Sequence, residues 1–151
     1  MNRLSILAVL CSMVVAVTGC QIVGSTAGSG GSGEDKVARQ FTMVIAANET
    51  AAKARLLAIS TAEAVYQAES GGEFATLEEL EEAEYMGDPS EGKLANYRFE
   101  VRVKPGGFEA TAVPEKYGVT GNNSFYIDET RVMRGADKKG AKATSSDPPM
   151  Q

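Results

Sequence analysis

The sequence has no histidine and no tryptophan, and its two cysteines, Cys11 and Cys20, both fall within the first twenty residues. The lack of histidine removes the usual general base, the commonest transition-metal ligand, and any serine–histidine or cysteine–histidine arrangement. The lack of cysteine beyond position 20 leaves neither a disulfide framework nor a thiolate site in the rest of the chain. An excess of basic residues is missing too: 15 Lys and Arg stand against 20 Asp and Glu, a net charge of −5, and the cations are scattered. Nucleic-acid binding needs a cationic footprint to neutralise phosphates, so it is disfavoured. The apolar run at 4–17 is about 14 residues, too short for a helix to span a hydrocarbon core of about 30 Å. From these absences we expect no catalytic residues, no cofactor and no metal site.

What is present begins with an address. Asn2 and Arg3 form a short positive region, 4–17 an almost unbroken apolar one, and Val17-Thr18-Gly19-Cys20 a small-residue ending. This is the pattern of a secretory signal. An apolar residue, two small ones and then cysteine resembles a bacterial lipobox. The resemblance implies that residues 1–19 are a lipoprotein signal peptide, that Cys20 is the lipid attachment site, and that the new amino terminus is acylated, for example with palmitate. The partner implied is a membrane, held through a lipid anchor that buries many methylenes at roughly 0.8 kcal/mol each. An ordinary cleaved signal with an incidental cysteine is the plain alternative. Gln21, where some sorting rules place an aspartate, resembles an outer-membrane destination on the periplasmic side. Residues 20–34 then read as a lipid-anchored linker, with STAGSGGSG at 25–33 too poor in side chains to pack.

The segment 35–134 carries the fold. Ala52, Leu56, Ile59, Ala62 and Tyr66 recur every three or four residues, which predicts an amphipathic helix over 48–70. Val37, Phe41 and Val44 or Ile45 extend the same spacing back to about Asp35, and Gly71-Gly72 ends it. Glu49 and Lys53 stand in the favourable i, i+4 order. Thr76 followed by Glu79 is a capping box that predicts a short helix over 77–84, with Leu77 and Leu80 inward. Its five glutamates read as a solvated face, because they lack the loop geometry and interleaved glycine of a calcium site.

Beyond the Gly87-Asp88-Pro89-Ser90 break the period changes to two. Tyr97, Phe99, Val101 and Val103 alternate with Arg98, Glu100 and Arg102, the signature of a half-buried strand. Lys104-Pro105-Gly106-Gly107 turns the chain into a second strand carrying Phe108, Ala110 and Ala112. Phe125 and Ile127 mark a third strand, and Val132 with Met133 a short fourth. The fold class is therefore α+β: a long N-terminal helix packed on a three- to four-stranded antiparallel sheet, with flexible tails at both ends. Residues 135–151 show no apolar periodicity and are expected to be a disordered tail. Gly118-Val119-Thr120-Gly121 reads as turn chemistry, since it lacks the lysine and following helix of a phosphate loop.

Taken together, Asn48-Glu49, the segment 58–63 with Tyr66, Leu77 and Leu80, Tyr97-Arg98-Phe99, the segment 108–114, Gly118-Val119-Thr120-Gly121, Phe125-Tyr126-Ile127-Asp128 and Val132-Met133-Arg134 resemble the type IV pilin and pseudopilin-like family. The resemblance covers about 90 residues, a typical domain length. It implies an α+β headpiece in which the carboxyl half of a long helix packs on an antiparallel sheet, and pilus or secretion-system proteins as partners. The family's membrane-spanning start is not matched: Gln40 stands before Phe41 in place of glycine, and Ile45 in place of the glutamate. The resulting expectation is a non-enzymatic, lipid-anchored cell-envelope protein with a structural or protein-interaction role. The alternatives are a minor type IV pilin or type II secretion pseudopilin subunit and, from another class, a periplasmic enzyme using carboxylates such as Asp128 and Glu129, or a module capturing a ligand on the sheet's wet face or the 115–123 loop.

Overall fold

A computed structural model describes residues 33–86 and 96–150. Expectations for the signal peptide, Cys20 and most of the linker fall outside these residues. Helix α1 runs from Gly33 to Ser70, about 57 Å at 1.5 Å per residue. It stops where Gly71 and Gly72 take φ of 82° and 111°. There the Gly72 N–H donates to the Gln67 carbonyl at 2.9 Å, a six-to-one bond that satisfies an end carbonyl in a conformation glycine adopts without strain.

Helix α2, Leu77–Glu82, starts with the full capping box: the Glu79 N–H donates to Thr76 Oγ1, and the Thr76 N–H donates to Glu79 Oε2 at 2.7 Å. It ends two residues before the expected boundary because Glu84 turns into the left-handed region, φ 58°. Leu80 is fully buried and Leu77 half-buried.

Four strands follow: β1 Tyr97–Lys104, β2 Gly107–Pro114, β3 Asn123–Asp128 and β4 Arg134–Asp137. They pair antiparallel in chain order, with Val101 opposite Ala110, Ala112 opposite Phe125, and Phe125 opposite Gly135. Helix α1 crosses β2 and β3. The small side chains of Ala52, Ala62, Ala110 and Ala112 allow close approach, and Leu56, Ile59, Phe108, Phe125 and Ile127 fill the space between. Tyr97 stacks on Phe125 with ring centroids 5.8 Å apart, and its hydroxyl donates to the Asn123 carbonyl at 2.7 Å.

Tyr66, Phe99 and Val101 pack against the core as expected, though only partly buried, and two expectations about this face are corrected, at Val103 and at the fourth strand. Tyr66 meets Tyr85 edge-on at 5.9 Å and is only half-buried. Phe99 and Val101 are half-buried and Val103 is exposed, because β1 lies beyond the strands that α1 covers. The fourth strand begins at Arg134, after Val132 and Met133.

The larger correction concerns 135–151. Residues 135–150 are part of the fold: 135–137 belong to β4, 142–145 lie against the sheet face opposite α1, and 148–150 return along the edge of β4, where Met150 packs on the core. Both Glu100 carboxylate oxygens accept from Lys142 Nζ at 2.6 Å. Lys138 pairs with Asp147 at 2.9 Å, and Asp147 also accepts from the Thr144 N–H at 2.7 Å. The Gly135 N–H donates to the Pro148 carbonyl and the Met150 N–H to the Met133 carbonyl. Ala143 is buried, as are Ser124, Tyr126 and Asp128 on the outward positions of β3. Polar cross-links and a backbone return hold this segment, so it carries no apolar period. The sheet's expected wet face is covered on β3.

One buried group conflicts with its surroundings. Glu63 has no exposed surface; its Oε2 accepts from the Ala75 N–H at 3.0 Å, and its Oε1 has no partner. Burial raises its pKa above the ordinary 4.5, the Ala75 bond opposes the shift, and the Glu79 charge adds to it. Because the folded form holds the proton more tightly, stability is greatest below the unfolded pKa and falls as pH rises through the folded one. Glu63→Gln keeps the acceptor for Ala75 and has no charge to desolvate. Urea unfolding at pH 4 and pH 7 should show the variant gaining on the parent chain at pH 7 and losing that advantage at pH 4.

Candidate interaction site

The apolar stripe of α1 is longer than the sheet that covers it. Steps of three or four residues carry it through Val37, Phe41, Val44, Ala52, Ile59, Ala62 and Tyr66, with the buried polar Asn48 and Arg55 in the same line, all on one side of a 3.6-residue helix. From Asn48 to Ala62 this side is buried. Toward the amino terminus it is bare: Val37 is 67 %, Phe41 46 % and Val44 49 % exposed. The first two to three turns of α1 therefore present to solvent the same face that the following turns bury in the core.

At the boundary the helix is tied to the 115–123 loop. Asn48 Nδ2 donates to the Thr120 carbonyl at 2.9 Å. Glu49 Oε1 accepts from the backbone N–H groups of Asn122 and Asn123 at 2.9 and 3.1 Å, and Oε2 accepts from Asn123 Nδ2 at 3.0 Å. Charge-assisted bonds to a carboxylate are stronger than neutral ones, so Glu49 serves as a clamp on the loop in place of the expected pairing with Lys53. Helical spacing could show Lys53 but not a loop seventy residues away. Within the loop the Gly118 N–H donates to the Gly121 carbonyl and the Thr120 N–H to the Lys116 carbonyl, both at 2.9 Å, which is turn chemistry.

The carboxylates considered for catalysis serve turns and ion pairs. Asp128 Oδ1 accepts from the Thr130 N–H and hydroxyl, and Oδ2 from the Tyr126 hydroxyl at 3.0 Å. Burial alone would raise its pKa, but these hydrogen bonds and the nearby Lys104 charge hold it below the ordinary value. Glu129 lies 3.4 Å from Lys104, which also reaches Glu109 at 3.6 Å. On α2, Glu79 is used in the capping box, and Glu81 pairs at 3.2 Å with the buried Arg55. Among the described residues no three Asp or Glu side chains converge to hold a metal ion. Cys20, the expected lipid attachment site, lies outside the described residues.

On the covered side of the sheet lies a cavity of about 230 Å³, bounded by Glu100, Arg102, Glu109, Tyr126 and Lys142. Its charges are mutually neutralised: Lys142 holds the Glu100 carboxyl low, with Arg102 and Arg98 adding to the effect. Among the described residues no helix is long and apolar enough to cross a membrane. No protein family matches the chain, and neither a characterised protein nor a solved structure is significantly similar to it.

Proposed function

We propose that the chain is a non-enzymatic, lipid-anchored cell-envelope protein whose pilin-like domain binds another envelope, pilus or secretion component along the bare half of α1. The observation that carries this reading is the continuity of the α1 stripe. Val37, Phe41 and Val44 stand at the spacing of the residues buried below them, yet nothing among the described residues covers them. A contiguous exposed apolar strip is costly in a free monomer and is the ordinary mark of an interaction surface. The long helix laid over an antiparallel meander supports the pilin-like reading. Cys20 supports attachment to the periplasmic side of a membrane, with Gln21 favouring the outer one. A minor pilin or pseudopilin subunit is the nearest alternative, set apart from the proposal by Gln40 and Ile45.

Mass spectrometry of the mature amino terminus tests the anchor: a diacylglyceryl-modified, acylated Cys20 is expected, and an unmodified Cys20 overturns it. A photo-crosslinking residue at Phe41 tests the surface. It should couple to a pilus- or secretion-assembly protein, while the same residue at Met43 on the opposite side of the helix should not. Equal coupling at both positions would count against the strip.

A further inference from the structure

Four separate segments meet at one end of the domain to form a cavity of about 220 Å³. Ser60 and Gln67 come from the flank of α1, Phe74 from the α1–α2 connection, Phe108 from β2, and Glu129 and Arg131 from the β3–β4 loop. The rings of Phe74 and Phe108 lie 5.7 Å apart and make an aromatic wall. The Ser60 hydroxyl is buried with no hydrogen-bond partner, although such hydroxyls usually find one. The Glu129 charge is met by Lys104 from outside the cavity.

Arg131 is the unusual member. Among the described residues it forms no ion pair, and its side chain makes one hydrogen bond, a long one of 3.5 Å to the Ser60 carbonyl. Its side chain is exposed, so most of its five fixed donors face solvent and are open to a ligand in the cavity. Its backbone is also strained: φ is 61°, and its N–H closes onto the Asp128 carbonyl at 2.9 Å. A non-glycine residue in the left-handed region costs free energy that the fold must offset, here as at Glu84, Asn96 and Lys139. Glycine would fit this turn better, but it would supply no guanidinium.

We infer that this cavity binds a small monocarboxylate with an apolar or aromatic body, its carboxylate held by Arg131 and its body resting on the half-buried Phe74, which the buried Phe108 backs from the core. The guanidinium fork matches a carboxylate through two parallel N–H···O bonds, and Gln67 stands beside it as a neutral hydrogen-bonding group. The size limits the ligand: drug-sized molecules occupy about 300–1,000 Å³, so this cavity takes something smaller. The shared chemistry admits both a plain acid and an α-amino acid, whose ammonium would face Glu129.

Calorimetric titration of the full chain in detergent micelles, in carboxylate-free buffer, tests the site with phenylacetate, L-phenylalanine and phenethylamine. At least one of the two carboxylates should saturate below about 10 mM, where a millimolar Kd is resolved, with phenethylamine at least about tenfold weaker. A lead for L-phenylalanine would assign the site to amino acids through Glu129, and a lead for phenylacetate to plain acids; either supports the clamp. Arg131→Gly should weaken binding about tenfold or more, as expected for loss of a charge-assisted pair, while leaving the thermal midpoint unchanged or higher because the φ strain is relieved. Arg131→Lys should fall between the two, keeping charge but not the fork. Failure of both carboxylates to saturate, equal binding by Arg131→Gly, or a midpoint lowered by that variant would each overturn the inference. None of these readings depends on the bare half of α1.

Discussion

Gly135→Ala is expected to destabilise the domain by about 3 kcal/mol, the upper range for overpacking a well-filled interior. A Cβ at Gly135 would lie 2.7 Å from the Ser124 carbonyl oxygen, 2.5 Å from Met150 Sδ and 3.0 Å from Phe125 Cδ1. The methionine tip could swing aside, but the carbonyl belongs to β3 itself, and Gly135 faces Phe125 directly in the β3–β4 ladder. The strain must therefore push β4 away from β3 and carry with it the return segment, which Gly135 holds through the Pro148 carbonyl. Urea unfolding of the single variant and of Gly135→Ala with Met150→Ala separates the two contacts. The second change should recover less than half of the loss, because it leaves the backbone overlap in place. Full recovery would show that the side-chain contact alone confines position 135.

The second large effect sets two neighbouring leucines against each other. Leu56 has no exposed surface and sits in the core with Ile59, Phe125 and Ile127; Leu57, one residue on and about 100° around the helix, is half exposed. Leu56→Ala removes three buried carbons and leaves a void between α1 and the sheet, so a loss of about 3 kcal/mol is expected. Leu57→Ala removes the same atoms mostly from solvent and should cost less than about 1 kcal/mol. For a domain of this size the first corresponds to well over 10 °C in melting temperature at a few degrees per kcal/mol. Comparable losses at the two positions would mean that α1 is rotated on the sheet.

The features legible in the sequence were those written in local order. The stripe from Ala52 to Ala62, the capping box at Thr76 and Glu79, the Gly71-Gly72 stop and the alternation from Tyr97 are each set by residues within a few positions of one another. What escaped depends on partners far along the chain. The Arg134-Gly135-Ala136-Asp137 stretch has no apolar period because a small residue is what lets β4 come close to β3. Residues 138–150 look like a tail because salt links and backbone bonds hold them. The Glu49 clamp and the Arg131 cavity were hidden for the same reason: each takes its meaning from segments brought together only by the sheet. Val103 shows the opposite error, a strand alternation that continues beyond the reach of the covering helix.

The chain-order sheet also governs how the domain resists self-association. A meander ends on two unpaired borders, and each border is a template for a strand from another molecule. On β1 the border is eight residues long but flanked by Arg98, Glu100, Arg102 and Lys104, so an incoming copy would have to desolvate a row of charges. On β4 the border is four residues long, and Arg134 is bridged to Pro149, an imino acid with no N–H to offer a further strand. The segment that first looks like a dispensable tail thus acts as an aggregation guard. Removing it would expose a donor row on a protein that, if anchored through Cys20, is confined with its copies to a single plane.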